Sequence, residues 1–278
     1  MAKVAIVTGA NQGLGFALVE GLCRALGEDA SVYLTARDAA RGNAAREQLL
    51  AAGLEPIVHQ LDVTSEASVQ NFAELLGSKH GGVDIVISNA AARISKSTPQ
   101  AQQVRTFIQT NNHGTHRVIR HFAPLLREGA RFIVVASSFG SLRNLPPAHH
   151  AEFDVASRSL EEIEVTLDQY VALVESGRHA QAHWPEWINI PSKVGQVAAM
   201  KIFARSFERE ARARDILINA VCPGLIDTEA SRPWFDDMSS AQTPAQAAVD
   251  VLWLATLAPG TSQPYGELVR HRQPVPWS

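Results

Sequence analysis

Cysteine is nearly absent from this chain of 278 residues: only Cys23 and Cys222 occur. Two cysteines build no disulfide framework and point to a reducing compartment. The chain has no CxxC or HExxH pattern, so there is no footing for a structural zinc or a zincin-type site, and no metal is expected. No apolar run approaches the ~18–20 residues that span a bilayer. No basic block accompanies the net charge of −3, so neither nucleic acid nor a membrane surface is expected as a partner. The first strand pattern begins at Lys3 and meets a glycine loop at Gly9, which leaves no room for the apolar region of a signal peptide. A cytoplasmic protein is expected. Tyrosine is scarce too. Tyr33, Tyr170 and Tyr265 are the full set, which limits where a phenolic acid can come from.

What is present alternates. Short runs rich in Val and Ile occur at Val4–Val7, Val32–Leu34, Ile57–Leu61, Ile85–Ile87, Phe132–Val135 and Leu217–Val221, with a weaker one at Glu267–Val269. They lack the polar alternation of half-exposed strands, so both faces should be covered. Segments of helical period lie between them, at 15–26, 41–52, 65–79, 99–109, 112–127, 192–214 and 244–257. Thr98-Pro99 and Thr243-Pro244 each set a capping hydroxyl before a proline suited to a first turn. Strand and helix in alternation predict an α/β fold, a doubly wound Rossmann-type parallel sheet of about seven strands. With no linker or repeat, residues 1–278 are read as a single domain. Residues 139–186 break the rhythm with a helical insertion, in which Leu160, Ile163, Leu167, Tyr170, Val171 and Val174 keep a helical spacing.

The chemistry gathers at strand ends. "TGANQGLG" lies between the first strand and the first helix, and it makes Gly9, Asn11, Gln12, Gly13, Leu14 and Gly15 candidate cofactor contacts. Its glycines let the backbone turn tightly and approach a pyrophosphate, whose charge a helix N-terminus favours. At the end of the second strand "YLTARD" places Ala36 where NAD-preferring folds carry an acid, followed by Arg37. A guanidinium there suits a 2′-phosphate, so the expected cofactor is NADPH/NADP+. Asp38 starts a turn or faces solvent. Asp62 either accepts the adenine amino group or caps the third strand, and Val63 packs on the ring.

These motifs, with "LDV" and the "NA" of "SNAAA", resemble the short-chain dehydrogenase/reductase family. "TARDAARGNAA", "HQLDV", "TNNHGT", "INAVCPG" and the insertion extend the resemblance to its monomeric carbonyl-reductase branch, over nearly the whole chain. The resemblance implies a monomer, because in that branch the insertion covers the helix surface through which relatives associate. It also implies roles. Asn89 lies by the nicotinamide ribose and buttresses the sheet. The backbone carbonyl of Asn111 holds a water against a lysine, Ser138 hydrogen-bonds a substrate carbonyl, and Lys193 grips the ribose hydroxyls. Pro223, Gly224 and Ile226 face the nicotinamide, and Thr228 the pyrophosphate. Each also has a plainer reading. Asn111 and Asn112 would break a helix, the serines would end a strand, and Pro223-Gly224 would be a turn. His149 and His150 are either an acid–base pair or, more simply, an exposed loop pair.

One position departs from the pattern. The family's acid is a tyrosine four residues before the lysine; "WINIPSK" carries Asn189 there. An amide donates a hydrogen bond but no proton near neutral pH. Asn189 would otherwise serve as a helix N-cap. Three readings remain: a small-molecule reductase whose proton comes from Lys193, from Ser138 through water or from the insertion; a binder of NADP(H) without turnover; a non-redox catalyst in the same pocket. The first is favoured, because the cofactor-binding and carbonyl-facing positions persist. Phe139, Leu142, Trp184, Trp187, Leu225, Trp234, Phe235 and Met238 are expected to line a pocket for a bulky apolar carbonyl or imine substrate.

Overall fold

A computed structural model describes residues 2–278. Strand β1 (Val4–Val7) leads through the glycine loop into helix α1 (Gly13–Leu26), and the alternation continues with β2 (Ser31–Ala36), α2 (Ala39–Ala51), β3 (Ile57–Gln60), α3 (Glu66–His80) and β4 (Val83–Ser88). After α4 (Gln100–Ile108) and α5 (Gly114–Phe122) come β5 (Leu126–Val135), α6 (Leu160–Glu175), α7 (Asn189–Ser206), α8 (Glu208–Ala213), β6 (Leu217–Val221), α9 (Pro244–Ala255), β7 (Leu268–Arg270) and β8 (Gln273–Val275). The strands form one sheet in the order β3-β2-β1-β4-β5-β6-β7-β8. All pairs are parallel except β7–β8. This is the expected doubly wound α/β sheet, with one strand more.

The extra strand comes from a two-residue hairpin in which His271 and Arg272 both have positive φ. Such turns usually carry Asn-Gly, so the sequence shows no hairpin signal here. Pro274 sits in β8, an edge strand, where a missing N–H is tolerated. Two helix boundaries also differ from expectation. The segment 112–127 stops at Phe122 because Leu126 already pairs with Val83, and 192–214 divides at Phe207 into α7 and α8.

Apolar residues cover both faces of the sheet except at its edges: β3, expected to be covered, is partly exposed because it has a neighbour on one side only. On one side Phe72, Phe122, Phe132 and Phe203 pack in edge-on contacts; on the other Leu18, Leu22, Leu34 and Val251 meet β1 and β2. A third cluster lies beneath the insertion, where α6 packs on α4 and α7 through Tyr170, Leu167, Phe107 and Val194. Its polar seam sets Glu164 against His116 at 3.0 Å, and His113 against Asp168 at 3.0 Å. Burial pushes the Glu164 carboxyl up, but the hydrogen bonds and charges of His113 and His116 more than reverse this and hold it well below the usual carboxylate range. A capping box fixes the start of α6: Ser159 Oγ accepts from Glu162 N at 3.2 Å and Glu162 Oε2 accepts from Ser159 N at 2.8 Å. Ser159→Ala should therefore lower stability by about 1 kcal/mol, read as an earlier urea midpoint at unchanged slope. Among the described residues no helix is long and apolar enough to cross a membrane.

Candidate active site

The strand order reverses between β1 and β4, and the crevice beyond their C-terminal ends is where ligands of such sheets bind. A cavity of about 790 Å³ opens there. Gly9 and Gly13 take the left-handed backbone region, with φ of 63° and 57°, and a Cβ on Gly9 would stand 2.8 Å from Ala90 Cα. Gly15 is confined instead by neighbours: a Cβ would lie 2.5 Å from the Gly9 carbonyl oxygen and 2.6 Å from Asn89 Nδ2. Asn89 holds this loop, with Nδ2 donating to the carbonyls of Thr8 and Gly9 at 2.9 and 3.1 Å. Thr8 Oγ1 accepts from the backbone N–H groups of Asn89 and Ala90, each at 2.9 Å. Helix α1 begins without a side-chain cap or an acidic residue in its first turn. Its N–H groups are thus left for an anion, and Gly9, Gln12, Gly13, Leu14 and Gly15 line the cavity beside Thr228. This cradle fits a pyrophosphate.

Farther along the edge, Arg37 is exposed, and among the described residues its guanidinium makes no ion pair. Asp38 is the N-cap of α2, accepting from Arg41 N at 3.0 Å. Asp62 Oδ1 accepts from both the backbone and the hydroxyl of Thr64, at 2.9 and 2.7 Å, which gives it the strand-end role. Val63 is buried in the core and lies where a Cβ on Gly114 would collide with it. Asn11, Arg37, Asp62 and Val63 stand outside the cavity that holds the glycine loop.

The other end of the cavity brings together Ser138, Asn189, Lys193, Pro223, Gly224, Leu225 and Ile226. Ser138 begins a short turn seated on α7. The turn approaches so closely that a Cβ on Gly140 would meet Val197 Cγ2 at 2.5 Å and the Lys193 carbonyl oxygen at 3.0 Å. Ser138 N donates to Cys222 Sγ at 3.1 Å, joining the ends of β5 and β6. Burial lowers the Lys193 ammonium to about 8, with a smaller opposing influence from Cys222. Lys193 Nζ donates to Gln196 Oε1 at 2.8 Å. The sequence reading passes over Gln196, although its i+3 spacing from the lysine places both on one helix face.

Asn111 and Asn112 do not break a helix. They lie in a π-helical turn, Gln109–His113, that joins α4 to α5 without interruption, a local widening common at functional sites. Asn111 is buried outside the cavity; its Oδ1 accepts from Ala92 N at 2.8 Å, and its carbonyl accepts from Thr115 Oγ1 at 2.6 Å. Asn189 is not an N-cap either. The chain turns through Trp187, with Ile190 N donating to the Trp187 carbonyl, so Ile188 is the cap and Asn189 is already helical. Pro99, not Thr98, likewise caps α4, whereas Thr243 caps α9 as expected.

The aromatic wall is smaller than expected. Phe139, Trp187 and Trp234 line the cavity with ring centroids 5.2 and 5.5 Å apart, and Leu225 and Phe235 adjoin them. Trp184 is a core residue instead, stacked on His149 at 3.9 Å and buried among Phe153 and Tyr170. Leu142 packs in the same core cluster, and Met238 lies beyond the cavity. His149 is buried rather than exposed, and neither it nor His150 lines the cavity. Across the mouth, Arg93 pairs with Glu229 at 3.0 Å and Trp234 Nε1 donates to the Ile94 carbonyl at 3.2 Å. No tyrosine lines this cavity. Tyr33 meets His80 at 2.8 Å, Tyr265 donates to the Ala204 carbonyl at 2.6 Å, and Tyr170 is sealed on the inner face of α6. Among the described residues no cluster of three or more His, Cys, Asp or Glu side chains could hold a metal ion.

Comparison with known proteins places this geometry among relatives. Residues 3–148 match the family model for short chain dehydrogenase. The chain is 33% identical over 278 residues to carbonyl reductase (NADPH) 1 of Rattus norvegicus, covering 99% of this chain and 98% of the relative. Salutaridine reductase from Papaver somniferum has the same fold, with a TM-score of 0.80 at 23% identity, covering 96% of this chain and 99% of that one. Menthone neomenthol reductase from Mentha piperita gives 0.77 at 25% identity, with 96% and 98% covered.

Proposed function

The chain belongs to the short-chain dehydrogenase family, and from that premise we propose that it is an NADPH-dependent reductase of a bulky apolar carbonyl or imine that takes its proton from a group other than tyrosine. The observation that carries this reading is the meeting of Ser138 and Lys193 in a cavity that no tyrosine lines. The relative at 33% identity is named for NADPH, and the glycine cradle and Arg37 support the same cofactor here. When bound, NADPH supplies a hydride.

The remaining work falls to the chain's own groups. The loop from Gly9 to Gly15 and the open N-terminus of α1 bind the pyrophosphate, helped by Thr228. Arg37 takes the 2′-phosphate, and Asn89 and Lys193 take the ribose. Pro223, Gly224 and Ile226 face the nicotinamide. Ser138 donates a hydrogen bond to a carbonyl oxygen, orienting it and favouring the charge that develops there, or accepts one from the N–H of an iminium. Lys193 Nζ delivers the proton, and the greater acidity that burial gives its ammonium suits it to that role near neutral pH. Asn189 orients substrate through its amide but holds no transferable proton. Phe139, Trp187 and Trp234 exclude water and select flat, apolar substrates. An imine that arrives already protonated needs least from the missing phenol.

The deciding experiment is NADPH oxidation with a panel of ketones, quinones and cyclic imines, alongside direct cofactor binding by fluorescence. Turnover with at least one bulky substrate is expected. Binding without any turnover would replace this reading with that of a cofactor-binding sensor, for which Asn189 beside Lys193 is the supporting feature. Arg37→Ala should weaken NADPH roughly 10- to 100-fold, the loss of a charge-assisted contact, and leave NADH nearly unchanged; equal losses in the two titrations would remove the basis for NADP preference. The helix α6, packed over α4 with its His–Glu seam, supports a monomer, to be checked by sedimentation.

A further inference from the structure

Behind Lys193 runs a polar chain with a fixed direction. Thr115 Oγ1 donates to the Asn111 carbonyl at 2.6 Å, so toward Gln196 it can only accept, and it takes Gln196 Nε2 at 3.3 Å. The amide is thereby oriented with Oε1 toward the lysine, at 2.8 Å from Nζ. The reverse orientation would press an NH₂ against an ammonium, donor against donor. Gln196 is 2% exposed and is flanked on α7 by the buried Val194, Val197 and Met200. A glutamine amide in such surroundings is costly unless fully bonded. Both of its bonds lead to the site, one to Lys193 and one through Thr115 to the π-helical turn. A residue there for packing alone would be apolar.

We infer that Gln196 is a positioning residue for Lys193, occupying one of the ammonium's three N–H donors and aiming the other two into the cavity. This deepens, and takes its catalytic meaning from, the function proposed above. With Asn189 in place of a phenol, the lysine has no acidic neighbour on its cavity side. Gln196 provides an acceptor from within the helix, one turn away, and the π-helical turn anchors it. A second bridge ties the same turn to α7: Ser192 Oγ donates to Asn112 Oδ1 at 2.7 Å, and Asn112 Nδ2 donates to the Ser192 carbonyl at 2.8 Å. The helix therefore cannot slide, and the lysine's reach is set by Gln196.

The test reads the lysine itself. In the full chain labelled with ¹⁵N,¹³C-lysine, the Lys193 Nζ resonance, assigned with Lys193→Arg, is followed from neutral to alkaline pH. The charged groups that share the cavity with Lys193 are Arg93, Asp227, Glu229, Arg232 and Arg270, of which Arg93 pairs with Glu229 and Arg232 with Asp227. Cys222 at the end of β6 is the titratable group whose charge reaches Lys193, His113 and His116 are engaged by Glu164 and Asp168 on α6, and Asn111, Asn112, Thr115, Ser138 and Ser192 carry no charge. Gln196→Glu should raise the midpoint by roughly one unit or more, since a carboxylate replaces a neutral acceptor. Gln196→Met should lower it by about one unit by removing the acceptor, and Thr115→Val should lower it less by freeing the amide to turn. Thermal melts establish that each variant is folded. The alkaline midpoint of NADPH affinity, measured by fluorescence, should move in the same directions. Unmoved midpoints in folded Gln196→Glu and Gln196→Met would overturn the inference. Absence of NADPH binding with shifted lysine midpoints would leave the positioning role standing and overturn the proposed function instead.

Discussion

Lys193→Ala is expected to lower turnover by roughly 10²–10⁴-fold, the range that a positioned acid–base group contributes, and to weaken NADPH as well. Both losses follow if one ammonium serves the two tasks proposed for it, holding the ribose and supplying the proton. Lys193→Arg separates them. A guanidinium keeps the charge and the donors but does not release a proton at accessible pH, so cofactor binding should largely survive while turnover does not. The wild-type pH profile carries the same logic. Lys193 is lowered by burial to about 8, so the donor is protonated below that value and lost above it. The rate should be level on the acid side and fall as pH rises through about 8. A rate that stays level past that point, or a Lys193→Arg variant with full activity, would show that the proton comes from elsewhere.

Asn189→Tyr should raise ketone reduction by about 10²-fold or more and change the reduction of a preformed iminium far less. Residues 189 and 193 are one turn apart at the start of α7 and both line the cavity. A phenol at 189 would thus stand on the same helix face as the ammonium, whose charge lowers its pKa. Ketones need a proton as the carbonyl oxygen gains charge; an iminium carries its proton already. Steady-state rates on a ketone and an iminium of similar bulk measure the contrast directly. Equal gains on both would mean that the substitution acts through pocket shape rather than acidity, and no gain on the ketone would mean that position 189 is not the donor's place.

Much of the cofactor cradle is legible from residue order alone. The strand–glycine–helix sequence from Val4 to Leu26, Asn89 after β4 and the Pro223–Thr228 loop after β6 each depend on contacts set within a few residues of a strand end. Strand ends in a parallel sheet converge on one edge, so their proximity follows from the alternation itself. The Val- and Ile-rich runs likewise identify β1 through β7, although the edge strand β3 is partly exposed. The eighth strand escapes because His271 and Arg272 form its turn without the usual residues. The asparagine pair escapes in another way. A π-helical turn has no compositional mark, and Asn111-Asn112 looks like a helix break until α4 and α5 are seen to run through it.

The sequence by itself determined the fold, the edge at which ligand binds, and the presence of a lysine and a serine with no tyrosine at the usual spacing, because these rest on periodicity and local pattern. Tertiary structure alone decided which side chains share the cavity. It moved Trp184 into the core against His149, kept Trp187 and Trp234 at the mouth, and enclosed Tyr170 on the inner face of α6. It also joined Lys193 to Asn111 through Gln196 and Thr115. The physical reason is distance along the chain. Residues 115 and 196 meet only after α5 and α7 pack, and a polar side chain inside an apolar stripe reveals its purpose only when its hydrogen-bond partners are in place.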